Sequence, residues 1–254
     1  MSPTPPASSA AQIAPLPVLK TYFSDEPGRR QTVKTLFDAS ARHYDWITAM
    51  MSFGSGRWYR RDALRRHGLS AGTKLLDVGA GTGVISLIAQ EVVGAQGEVI
   101  AADPSEGMLA VARDSGVRQT VTAGAEDLPF EANRFDMLTM GYALRHVSDL
   151  MLAFREYHRV LRPGGKVLLL EITRPARHGF AYWLLRAYLR GVVPAVTRLF
   201  RRSADAEQLM RYYWDTIDQC VPPETIMEAL RQAGFQNPSR HVAMGIFSEY
   251  SATK

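Results

Sequence analysis

One cysteine, Cys220, stands in a chain of 254 residues, so no disulfide can form within it and a reducing, cytoplasmic setting is expected. No uncharged apolar run reaches the roughly 20 residues that a membrane-spanning helix needs. The net charge of +5 comes without a block of like charge or the aromatic cluster of an RNA-binding motif, so nucleic acid is not the expected partner. At the start of the chain there is no basic segment followed by an apolar one. Pro, Ala and Ser dominate there instead, and residues 1–30 read as a flexible tail rather than a signal peptide. Internal repeats are absent, and no metal site is predicted. Hydrophobic content of 46% and charged content of 22% are those of an ordinary globular chain, long enough for one substantial core.

What is present centres on Lys74-Leu75-Leu76-Asp77-Val78-Gly79-Ala80-Gly81-Thr82-Gly83. An apolar run carrying one acid breaks into alternating glycines, and Val84-Ile85-Ser86-Leu87-Ile88-Ala89 resumes at helical spacing. This predicts a strand, a tight turn and a helix, the first βα unit of an open sheet. Alternating glycines let a ligand approach main-chain N–H groups without interference from Cβ atoms. Asp103 closes the next apolar run, twenty residues beyond Gly83, where an acid can hold the hydroxyls of a ribose. The spacing G-x-G-x-G departs from the dinucleotide fingerprint, and no Gly-Lys-Ser/Thr follows to make a Walker loop. An acid beside the loop would repel phosphate but suits an ammonium. S-adenosylmethionine (SAM) has an ammonium, a ribose and no phosphate, and it is the expected cofactor.

Beyond the loop, strand and helix alternate. Strands are predicted over 97–103, 119–125, 135–141 and 166–172, with a helix around Met108 capped by Ser105 and another over 149–161. Arg162-Pro163-Gly164-Gly165 should end the latter helix as a turn. Residues 166–172 are almost wholly apolar, as in a strand buried on both faces. The pattern is α/β: an open, doubly wound, mostly parallel sheet, with an antiparallel C-terminal hairpin turning near Met244-Gly245 at its edge. The domain is expected over 31–254, with a helical N-terminal cap over 31–66 broken near 52–56 and a helical insertion or lid over 175–215. A further helix runs from Pro222-Pro223 to Ala233-Gly234. Within the insertion, residues 179–202 place Phe180, Trp183, Leu184 and Ala187 on one helical face and Arg186 and Arg190 on another. Such a segment can lie on an anionic membrane surface or pack as an ordinary insertion.

Several of these stretches carry a resemblance. Residues 37–60 (FDASARHYDWITAMMSFGSGRWYR), 75–83 (LLDVGAGTG), 125–130 (AEDLPF), 142–149 (YALRHVSD), 159–173 (RVLRPGGKVLLLEIT) and the helix ending Ala233-Gly234-Phe235 resemble the class I SAM-dependent methyltransferases. More specifically, they resemble the ubiquinone/menaquinone-biosynthesis C-methyltransferase family, from Val33 to the C-terminus. The glycine loop and AEDLPF are common to many SAM methyltransferases; the 37–60, 142–149 and 159–173 stretches together are far more specific to this family. The resemblance implies a cofactor site of Tyr44, Asp77, Gly79, Gly81, Thr82, Gly83, Asp103, Met108, Gly124, Ala125 and Gly141. It implies Asp45, Arg57, Trp58 and Tyr142 on the substrate side. The chain departs from the family at Thr48-Ala49 (usually Asn-Asp), Gly56 (His), Gly124 (Asn or Asp), His146 (Asn) and Thr173 (Ser).

The implied acceptor is a benzoquinol or naphthoquinol, with or without a polyprenyl tail. Ionising the hydroxyl beside the target carbon pushes electron density onto it. A phenol with a pKa near 10 is only about one part in 10³ ionised at pH 7, a deficit of roughly 4 kcal/mol. A cation or a base beside that oxygen would reduce the deficit. Arg145 and His146 follow the 135–141 strand at the carboxyl edge, where open α/β sheets bind ligands. Arg145 is assigned to stabilising the phenolate, unless it pairs with Asp149, and His146 is the candidate base. Alternatives are C- or O-methylation of another aromatic or polyketide-like molecule, or a non-catalytic SAM-binding scaffold. Homodimer, biosynthetic-complex subunit and peripheral membrane protein are all compatible with the sequence.

Overall fold

The structure, a computed structural model, describes residues 12–16, 35, 56–172, 179–188, 191, 215–243 and 245–254. Its centre is a seven-stranded sheet in the order β3-β2-β1-β4-β5-β7-β6. Strands β1 (Lys74–Val78), β2 (Glu98–Asp103), β3 (Thr120–Thr122), β4 (Phe135–Gly141) and β5 (Leu161–Ile172) are parallel. Strands β6 (Gln236–Ala243) and β7 (Phe247–Thr253) form the antiparallel hairpin, with β7 inserted between β5 and β6. The strand order reverses between β1 and β4, so the crevice above their carboxyl ends is where this architecture takes ligands.

Alternation along β5 divides the core. Val167 and Leu169 face helices α4 (Leu150–Val160) and α6 (Pro223–Gln232), in a cluster with Phe154, Tyr157, Ile226 and Leu230. Leu168 and Leu170 face α1 (Gly56–Arg66) and α2 (Val84–Val93), with Ala63, Leu64, Ile85 and Ile88. Helix α3 (Glu106–Asp114) packs Leu109 and Ala112 on Ala101 of β2, beside Leu87 of α2. Caps mark the helix starts. Ser105 accepts the Met108 N–H at 3.1 Å and Asp149 the Met151 N–H at 2.8 Å, each satisfying an otherwise orphaned donor.

The structure corrects three boundaries. Strand β5 begins at Leu161, not at Lys166: Phe135 pairs with Leu161 and Met137 with Lys166, so residues 162–165 form a bulge within the strand. Proline and glycine stop a helix, yet an extended chain keeps pairing on either side of them. The C-terminus grips this bulge, with Gly164 N–H donating to Lys254 O and Lys254 N–H to Gly165 O. Strand β3 is confined to Thr120–Thr122 because it pairs with β2 alone and the chain turns at Gly124–Asp127. Residues 12–16, expected in a free tail, are docked. Leu150 N–H donates to Ile13 O, Val221 N–H to Pro15 O, and Leu16 is 1% exposed.

Of the expected cap, the structure describes Thr35 and α1, which starts at Gly56 beside the predicted break. Of the insertion it describes 179–188, 191 and 215, with helix α5 (Phe180–Ala187). Among the described residues, no helix is long and apolar enough to cross a membrane.

Candidate functional site

The glycine loop joining β1 to α2 holds Gly79, Gly81 and Gly83 at φ of 63, 56 and 82°. These glycines serve different ends. A Cβ on Gly79 would lie 2.7 Å from the Ala143 Cβ, and one on Gly83 would lie 2.5 Å from Val117 Cγ2; both are fixed by packing. A Cβ on Gly81 would meet nothing within 4 Å, so this turn of backbone faces open space. Asp103 holds it there: its Oδ2 accepts the Gly81 N–H at 2.8 Å and its Oδ1 the Ser105 N–H at 2.8 Å. The acid expected to hold a ribose thus also sets the loop that the ribose-bearing ligand would meet.

Asp77 lies in the floor. It is fully buried, and its two oxygens accept the hydroxyls of Ser86 at 2.7 Å and Thr139 at 2.9 Å. Burial pushes its pKa from the usual 3.8 up to about 6, against the pull of those hydrogen bonds, with the nearby Asp103 adding to the rise. A cation bound above it would restore the ionised form. Asp77, Gly79, Gly81, Thr82 and Gly141 line one cleft, together with Arg60, Ile85 and Tyr142. A Cβ on Gly141 would fall 2.4 Å from Ile85 Cδ1 at the start of α2, so a side chain there would displace the tip of Ile85.

Across the cleft, Tyr142 adopts φ 59°. For a bulky residue this left-handed backbone costs on the order of 1–3 kcal/mol, and such strain gathers at functional sites. Its N–H donates to Leu170 O at 2.7 Å, and its ring meets Phe247 edge-on at a centroid distance of 6.4 Å. The chain then makes a 3-10 turn, Leu144–His146. Arg145 within it is 1% exposed, its Nη1 2.8 Å from Glu171 Oε2 and its Nε 3.1 Å from Thr216 Oγ1. The pairing with Asp149 considered from sequence does not form; Asp149 caps α4 and accepts the Ile13 N–H. His146 is half-buried beside it at the end of the turn.

Glu171, at the carboxyl end of β5, was missed by the sequence reading. Its Oε1 accepts the Leu144 N–H at 3.0 Å while Oε2 holds Arg145, so one carboxylate fixes both the turn and its guanidinium. Burial raises its pKa and the Arg145 charge opposes the rise. The signal was available: like Asp77, Glu171 is a lone acid at the end of a continuous apolar strand.

The remaining expected residues divide. Met108, buried, lies on α3 beyond β2, and Gly124 and Ala125 lie in the turn beyond β3, all on the Asp103 side of the crevice. Arg57 and Trp58 are not brought to the cleft. Arg57 pairs with Glu91 on α2 at 3.3 Å, and Trp58 is 67% exposed. Their neighbour Arg60 reaches it instead, its guanidinium carbon 4.8 Å from the Tyr142 ring centroid. Helical spacing carries the reason: Arg60 stands three and four residues before Ala63 and Leu64, on the buried face of α1, whereas Arg57 and Arg61 lie just outside it. Tyr44 and Asp45 lie outside the described residues. Among the described residues, no group of three His, Cys, Asp or Glu side chains could hold a metal ion.

The model of the ubiE/COQ5 methyltransferase family matches residues 26–254. The ubiquinone/menaquinone biosynthesis C-methyltransferase UbiE of Shewanella sp. strain W3-18-1 is 34% identical over 224 residues, covering 85% of this chain and 87% of its own. Its counterpart from Shewanella baltica strain OS155 gives the same identity and coverage. A SAM-dependent methyltransferase structure from Aquifex aeolicus aligns with TM-score 0.56 at 18% identity, over 76% of this chain and 88% of its own. Another from Mesorhizobium loti aligns with TM-score 0.52 at 22% identity, over 76% and 96%. These two likenesses concern the fold.

Proposed function

The chain belongs to the ubiE/COQ5 methyltransferase family, a SAM-dependent enzyme family, and from that premise we propose that it methylates a ring carbon of a benzoquinol or naphthoquinol in quinone biosynthesis. The observation that carries this reading is the cleft at the strand-order reversal, which sets the glycine loop and the buried Asp77 against Gly141 and Tyr142 at the end of β4. The open space at Gly81 and the buried carboxylate of Asp77 fit SAM, whose bound sulfonium supplies the activated methyl. Asp77, the loop from Gly79 to Gly83, Asp103 and Gly141 would hold the cofactor, with Met108, Gly124 and Ala125 toward its adenosine end.

The acceptor hydroxyl falls to the turn after β4. Arg145 carries its own buried counterion, so the Arg145–Glu171 pair offers far less net charge to a phenolate than a lone guanidinium would. We assign Arg145 to holding the turn and polarising its surroundings, and the half-buried His146 to taking the acceptor proton, directly or through water. Tyr142 would shape the wall against the ring, its strained backbone fixed by Leu170 and Phe247. Incubation with methyl-labelled SAM and a panel of demethylated quinols, read by mass spectrometry, tests the assignment. Label on a quinol ring carbon is expected; label on oxygen, or on none of the quinols, would overturn it.

For a quinol bearing a polyprenyl tail, we propose peripheral contact with the membrane through 179–202. On α5, Trp183 is 53% and Leu184 60% exposed, and the Arg186 guanidinium lies 5.1 Å from the Trp183 ring centroid. Exposed apolar groups beside a cation suit an anionic headgroup boundary. Flotation with anionic vesicles should recover the protein in the lipid fraction, less so as salt rises. Equal recovery in the soluble fraction with and without anionic vesicles would refute the contact.

A further inference from the structure

Helix α1 carries five arginines, and their surroundings single out one. Arg57 and Arg61 both pair with Glu91 of α2. Arg66 pairs with Asp62 and, at 2.7 Å, with the fully buried Glu249 of β7. Arg65 is exposed to solvent. Arg60 makes no ion pair among the described residues; half-buried, it lies over the Tyr142 ring and lines the cofactor cleft. A cation held against an aromatic face inside a cleft, with no carboxylate of its own, calls for an anion from a ligand.

The same cleft supplies the complementary charge. Asp77 is the acid among its lining residues, so the wall presents one cation and one buried carboxylate. That is the pattern of an amino-acid zwitterion. SAM has one full negative charge, the carboxylate of its methionine part, whereas a neutral quinol has none to offer. We propose that Arg60 binds this carboxylate while Asp77 faces the ammonium. The inference rests on the cleft being the cofactor site and goes further by assigning its amino-acid end.

The scaffold holds Arg60 in place. Glu249 receives Arg66 at 2.7 and 2.9 Å and lies 2.9 Å from His67 Nε2, tying the end of α1 to the sheet. Tyr59 stacks on Phe247 of the same strand with centroids 4.8 Å apart. The helix is therefore fixed to the C-terminal hairpin independently of any ligand, and Arg60 projects from a rigid element.

Calorimetry on the full chain provides the test. S-adenosylhomocysteine keeps the amino acid, and 5′-methylthioadenosine keeps only the adenosine end. Arg60→Met, which preserves the aliphatic stem over Tyr142, should weaken S-adenosylhomocysteine about 10- to 100-fold. The same variant should change 5′-methylthioadenosine by less than about two-fold. Arg60→Lys, retaining the charge without the forked geometry, should fall between the parent and Arg60→Met for S-adenosylhomocysteine alone. Equal weakening of both ligands, or of neither, would overturn the assignment. So would an unchanged S-adenosylhomocysteine affinity with a raised KM for the acceptor. Failure of the parent chain to bind either compound would instead remove the cofactor-site reading beneath it.

Discussion

Replacing Asp77 by Asn separates what the carboxylate costs the fold from what it gives the ligand. In the ligand-free protein Asp77 is fully buried, and its pKa stands at about 6 against the usual 3.8. That gap corresponds to about 3 kcal/mol of preference for the protonated form in the folded chain. Because the folded-state pKa is the higher one, the contribution of Asp77 is intact below pH 3.8 and is lost as pH rises through about 6. Above that pH an ionised carboxylate is held out of water. An amide in its place carries no charge, accepts one of the two hydroxyls and donates to the other, so roughly 1 kcal/mol of hydrogen bonding is at stake. Ligand-free Asp77→Asn should therefore be more stable than the parent by about 1–3 kcal/mol at pH 7.5, a rise of several degrees in Tm. At pH 5 the charge-linked gain should fall to about half. In titrations with SAM the order reverses: losing the carboxylate under an ammonium should weaken binding about 10- to 100-fold. Thermal melts at the two pH values, with and without SAM, read both effects. A ligand-free variant no more stable than the parent at pH 7.5, or a gain that ignores pH, would refute the reasoning.

Glu171→Gln should cost about 3–5 kcal/mol in urea unfolding, because it leaves the Arg145 guanidinium buried without its counterion. Adding Arg145→Met should restore part of that loss by removing both charges. His146→Asn should remove the acidic limb of the kcat–pH profile and lower kcat on the order of 100-fold if the imidazole takes the acceptor proton; an unchanged limb would leave His146 a pocket-shaping role. Gly124→Asn should fold as the parent does, since a Cβ there meets only Glu126 Oε2 at 3.6 Å. It should tighten SAM by a few-fold through one added hydrogen bond, an effect of about 1 kcal/mol read by calorimetry.

The sequence by itself determined the parts of this protein that depend on neighbours along the chain. The glycine loop, the strand over 135–141, the Ser105 cap and the C-terminal hairpin all rest on local periodicity and backbone chemistry, and they stand where those predict. Cofactor chemistry was legible for the same reason, since Asp77, the glycines and Asp103 fall within two consecutive βα units. Only the tertiary structure decided which polar groups face each other across the sheet. Asp149 is four residues from Arg145, but the cap of α4 claims it, and the counterion comes from Glu171, 26 residues on and one strand over. In the same way, the pattern RWYRR offers three arginines and a tryptophan, and only the packing of α1 on β7 and α2 turns Arg60, not Arg57 or Trp58, into the cleft. Residues 162–165 and 12–16 make the same point, the first paired into β5 by strand contacts and the second docked onto the starts of two helical segments distant in sequence. Burial and register between distant segments set these choices, and neither is written in the spacing of residues along one element.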